Sequence, residues 1–145
     1  MIRLKNVPLA SENPDRRVSG AKLVGLAVVF LWFTLGGILH FSATQIEAGL
    51  VPPYIPHPRA AVLISGVFEL LGAVGLLWQS SRRIAGIGLF LLTVAVTPVH
   101  IYMLQYPERF PSIPYWLLVV RLPVQLGLLA LIVWSSSSIA PKRFR

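Results

Sequence analysis

The chain has 145 residues, enough for one domain, with a formal net charge of +8 and no cysteine. Hydrophobic residues make up 55% of it and charged residues only 12%, against about 25% charged in a soluble domain; the mean hydropathy is +0.72. These values exclude an ordinary soluble domain, and the missing cysteines exclude disulfides, thiol redox chemistry and thiolate metal sites.

In chain order, residues 1–20 are a basic segment with no apolar core or small-residue cleavage signal, so the first apolar run is expected to remain as an anchor. Four apolar runs follow, at about 21–43, 59–79, 83–104 and 115–134. Each is long enough to cross a bilayer as a helix, which takes roughly 20 residues. None alternates as the strands of a membrane barrel would. Residues 135–145 form a basic tail. The expected fold is all-α: an integral membrane four-helix bundle over 21–134.

Basic residues gather at Arg3, Lys5, Arg16, Arg17 and Lys22, at Arg82 and Arg83, and at Lys142, Arg143 and Arg145. All three clusters border apolar runs, so the positive-inside rule puts both termini and the turn between the second and third spans in the cytoplasm. Nucleic-acid binding would instead interleave basic and aromatic residues on a soluble face, and no nucleic-acid partner is expected. Loops 44–58 and 105–114 then lie outside, stiffened by Pro52, Pro53, Pro56 and Pro58 and by Pro107, Pro111 and Pro114. No two glycines stand four apart, so the spacing of a GxxxG dimerisation face is absent.

Charges within a membrane are costly and face protein, water or a partner. Glu69 stands ten residues into the second span, about 15 Å deep, and Arg121 six residues into the fourth, about 9 Å deep. The two are therefore expected to pair, directly or through a water or ligand. His40 and His100 lie near the outer ends of the first and third spans, and Gln125 follows Arg121 by one turn. Ser65 precedes Glu69 by one turn, and Thr93, Thr97 and His100 share a face. Pro98 and Pro123 free the carbonyls of Val94 and Val119, which then want donors.

The candidate ligand-binding or proton-exchanging residues are thus Glu69, Arg121, His40, His100 and Gln125. Ser65, Thr97, Tyr102, His57 and Arg59 form a secondary set, with His57 expected in solvent. No metal site is expected, since no HExxH or helical His pair occurs. Three blander or rival readings stand beside the pocket: a structural Glu69–Arg121 pair fixing helix register, a solute or proton pathway, and haem held by His40 and His100.

Five pieces in order, His40–Phe41, VPPYIPHPR (51–59), SGVFELLGAVGLL (65–77), TPVHIYM (97–103) and RLPVQ (121–125), resemble the DoxX-like family of small four-helix bacterial membrane proteins. The resemblance runs from about residue 24 to 134. It implies a multi-pass protein of the bacterial inner membrane, associated with a redox complex or another membrane protein. Together with the one-sided polar compartment, it suggests a redox-associated accessory that binds a quinone-like or other small amphipathic ligand on the outer side. The alternative is a non-enzymatic scaffold or assembly factor whose Glu/Arg cluster is structural.

Overall fold

The four apolar runs fold as four long helices in a computed structural model that describes residues 19–137. They are α1 (Gly20–Ser42), α3 (Pro58–Gly75), α4 (Arg82–Gln105) and α5 (Tyr115–Ser136). Between α1 and α3 lies a short helix, α2 (Thr44–Ala48), and a 3-10 turn at Pro107–Arg109 follows α4. All four long helices are long and apolar enough to span a membrane. Their outward faces carry large exposed side chains such as Ile84, Leu91 and Leu126, at 75%, 60% and 68% exposure. Lipid accommodates such faces, and helices meet its demand that backbone polar groups be satisfied within the segment. The basic segment before residue 19 and the tail after 137 lie outside the described residues.

Local chemistry sets the helix ends. At Ala43 the backbone leaves the helical region, and the Thr44 hydroxyl lies 2.6 Å from the His40 carbonyl and 3.1 Å from that of Phe41. These are carbonyls that a helix C-terminus leaves without partners. α3 opens with Pro58 in its first turn, where no N–H is needed. His57 just before it is left-handed, at φ 53°. The second apolar run stays helical only to Gly75, short of the expected 79. There the Ser81 hydroxyl donates to the Gly75 carbonyl at 2.8 Å, and Arg82 Nε to that of Leu76 at 3.2 Å. α4 and α5 run unbroken through Pro98 and Pro123.

The helices run up and down. α1 packs beside α3 and α5, α4 packs beside the same two, and α3 stands diagonally across from α5. The start of α1, the α3–α4 turn and the end of α5 share one end, where Lys22 Nζ donates to the Ser137 carbonyl at 3.1 Å. We call it the basic end, after Lys22, Arg82 and Arg83. Its core joins all four long helices through Leu26, Val29, Phe33, Ala73, Leu89, Leu128 and Ile132. Towards the opposite end the bundle resolves into two halves, α1–α3 and α4–α5.

The α1–α3 half is held by close backbone approach. A Cβ on Gly66 would stand 2.8 Å from the Cβ of His40 and 3.2 Å from the Gly37 carbonyl oxygen. A Cβ on Gly37 would meet Leu70 at 2.8 Å and the Gly66 carbonyl at 3.1 Å. The two glycines face each other from different helices, and small residues at such a seam are how membrane helices gain packing energy without a hydrophobic drive.

Candidate functional site

A cavity of about 620 Å³ opens between the two halves at the end opposite the basic end. Its wall draws on all four long helices, on Glu47 of α2 and on Leu50, Val51 and Ile55 of the following loop. Most of the lining is apolar, with Val62, Val96, Val99, Val120 and Val124 among it. Polar groups occupy two separate places on that wall.

On the α1–α3 side, His40 stands between two carboxylates. Its Nδ1 meets Glu47 Oε2, and its Nε2 lies 3.4 Å from Glu69 Oε1. The break at Ala43 makes the first contact, because it folds α2 back so that a residue seven positions on reaches the ring. Gly36 makes room for the second: a Cβ there would stand 2.6 Å from Glu69 Oε2. The three side chains are largely shielded, with 21%, 22% and 13% of His40, Glu47 and Glu69 exposed.

On the α4–α5 side, Gln125 is the hub. Its Nε2 donates to the Thr93 carbonyl at 2.8 Å and lies 2.5 Å from Thr97 Oγ1. With the amide nitrogen committed to a carbonyl, its oxygen must accept, so the proton in the His100–Gln125 contact sits on His100 Nδ1. The neutral ring then keeps an acceptor at Nε2. Thr97 Oγ1 donates to the Thr93 carbonyl at 3.2 Å. Pro98 was expected to draw donors to the carbonyl of Val94; the donors fall instead on Thr93, one residue earlier.

Arg121 lines the cavity one turn beyond Gln125. Its one hydrogen-bond contact among the described residues is NH1 to the Met103 sulfur, at 3.1 Å. A thioether is a weak acceptor for a group with five N–H donors. The expected direct pair with Glu69 is not made. Depth brought the two residues to one compartment, but α3 and α5 are diagonal, so the carboxylate meets the neighbouring α1 and the guanidinium faces it across the cavity.

All five principal candidates, Glu69, Arg121, His40, His100 and Gln125, line this cavity, as does Ser65. Thr97 supports it through Gln125. Three secondary candidates lie elsewhere. His57 and Arg59 are exposed where α3 begins. Tyr102 is buried in a separate cluster with Met103, Phe110 and Leu118, and its hydroxyl takes a 2.5 Å hydrogen bond from Arg109. Sequence reasoning missed Glu47 and Met103. The only signal for Glu47 was an acidic residue soon after a histidine at a span's end, and Met103 carried none. Among the described residues no cluster of three or more His, Asp or Glu is placed to hold a metal.

No curated protein and no solved structure matches the chain. The resemblance to the DoxX-like family is not upheld, because the family that matches is a different one. The five pieces that carried it are short, one mainly in the loop before α3 and four wholly or mostly within the long helices, and four-span bundles can share such pieces without kinship. The redox association drawn from that resemblance is withdrawn with it. The match covers residues 26–138, nearly the whole bundle, and the chain belongs to the family described as a domain of unknown function, DUF8561.

Proposed function

We propose that this is a multi-pass protein of the bacterial inner membrane, with both termini cytoplasmic, whose cavity binds a small amphipathic molecule with a quinone-like head. The orientation follows from the basic residues by the positive-inside rule. One observation carries the binding reading: Arg121, a cation on a membrane-spanning helix, lines a cavity and among the described residues has only a thioether to donate to. A head group bearing carbonyl oxygens supplies the missing acceptor, and the Glu69–His40 wall opposite receives the other side of the head. The valines of α4 and α5 and the half-exposed Trp32 suit an apolar tail that leads towards lipid.

The test is titration of the protein in lipid nanodiscs with a short-chain ubiquinone, beside mass spectrometry of small molecules co-extracted with it. A hydrogen bond to a charged group contributes about 1.5–3 kcal/mol, so Arg121→Gln is expected to weaken binding at least about tenfold. Equal affinity in the wild type and Arg121→Gln would sink the reading.

A second reading, a non-enzymatic scaffold or assembly factor for another membrane protein, draws on the Glu47–His40–Glu69 chain, which ties α1, α2 and α3 together. Its structural role falls to that chain rather than to a Glu/Arg pair. It predicts that Glu69→Leu loses folded protein, that His40→Leu and not Arg121→Leu rescues it, and that a partner co-purifies in fixed ratio.

A further inference from the structure

The chain Glu47–His40–Glu69 has a property that neither ligand binding nor scaffolding requires. Both ring nitrogens of one imidazole face carboxylate oxygens. A neutral ring has one donor nitrogen and one acceptor nitrogen, so with both carboxylates ionised one lone pair would face another. The arrangement is satisfied when two protons are shared among the three groups. Either the ring is an imidazolium between two carboxylates, or it is neutral beside one carboxylic acid. These forms have the same proton count and the same net charge of about −1, and differ only in where one proton sits.

We infer that Glu47, His40 and Glu69 form a proton relay running along the cavity wall, from α2 near its mouth to the mid-helix position of Glu69. In one passage the Glu47 carboxyl gives its proton to His40 Nδ1 while the Nε2 proton passes to Glu69 Oε1. The ring changes tautomer, Glu47 becomes a carboxylate and Glu69 a carboxylic acid; the relay is ready again once Glu69 has released its proton to water in the cavity, Glu47 has taken one up, and the ring has exchanged its Nδ1 proton for one at Nε2 through water. No other bond forms or breaks, and no electron moves. Three features support a relay over a static clasp. The ring is 21% exposed, so water can reach it to exchange a proton. Gly36 leaves the second Glu69 oxygen against bare backbone, with no side chain to fix it. Glu69 also lines the cavity, so its proton has somewhere to go. Among the described residues the other titratable or charged groups on this cavity are His100 of α4 and Arg121 of α5, both on the opposite wall. α1 adds none besides His40 itself.

The relay goes beyond the binding proposal and is tested without any guest. The probe is infrared spectroscopy of the protonated Glu69 carboxyl band, assigned by its loss in Glu69→Gln, after a rapid pH jump on guest-free protein in nanodiscs. Glu47→Gln and His40→Gln are expected to slow the band's response at least about tenfold. Glutamine at 40 can still donate and accept hydrogen bonds but cannot pass a proton, so it separates transfer from scaffolding. His40→Phe serves as a second blocked variant, and circular dichroism checks that each folds. Wild-type rates in folded His40→Gln would overturn the relay, whatever the outcome of the quinone titration. An unchanged response in Glu47→Gln would overturn it too.

Discussion

The two ends of this bundle are built on different principles. At the basic end, apolar side chains from all four long helices interlock, with Ala73 from α3, and the halves touch where Gly25 meets Trp134 and where Gly75 meets Ala85. At the cavity end, every side-chain hydrogen bond among the described residues stays within one half. His40 bonds to Glu47 and Glu69, while Gln125 bonds to His100, Thr97 and the Thr93 backbone. The fold is joined by a shared apolar core at one end; at the other, Leu50 of the loop before α3 packs on the Tyr102, Met103, Phe110 and Leu118 cluster while the polar groups stay within their own halves. Most polar groups there find their partners inside their own half, and the cavity lies between the halves.

Three substitutions test this division. The largest effect is expected at the basic end. Leu89 is 1% exposed in the shared core, and Leu89→Ala should destabilise the protein by about 2–5 kcal/mol, since the void it leaves forfeits packing on every side. SDS-driven unfolding in mixed micelles measures it, and quinone affinity should hold in the molecules that remain folded. Gln125→Leu comes next. Interhelical hydrogen bonds within bilayers contribute about 0.6–2 kcal/mol, so a loss near 1 kcal/mol is expected in the same assay. His100 should also lose its fixed tautomer, visible in its imidazole nitrogen shifts. A loss as large as that of Leu89→Ala would mean the cavity end carries the fold and would break the contrast. The smallest effect belongs to Lys22→Ala, which removes the bonds to Ser137 in a partly exposed position. About 0.5 kcal/mol or less is expected there.

Much of this architecture was legible in the sequence, and what was not has a physical reason. Run length and composition located all four helices, because a bilayer sets a minimum length that few other structures share. Counting residues from the helix ends brought Glu69 and Arg121 to one compartment. Depth, however, is only one coordinate. Which helices are neighbours and which are diagonal depends on packing around the bundle axis, so depth alone does not show that the direct contact of Glu69 is with His40 of α1. Gly37 and Gly66 escaped because a search for glycines four apart on one helix does not see two that meet across a seam. Glu47 escaped because TQIEA is too short for a periodic signal. Its place over His40 comes from one backbone break at Ala43.

The diagonal placement of α3 and α5 has a consequence for whatever enters. Had the two helices been adjacent, Glu69 and Arg121 would have collapsed into an ion pair whose influence fades within a few ångströms. Held on opposite walls, the acidic side chains on one and the guanidinium on the other set up a standing electric field across the opening. In water such a field would be screened within about 8 Å at physiological salt. Between valine-lined walls it is screened far less. A guest with a strong dipole therefore experiences the cavity as polarised, and has one preferred way round.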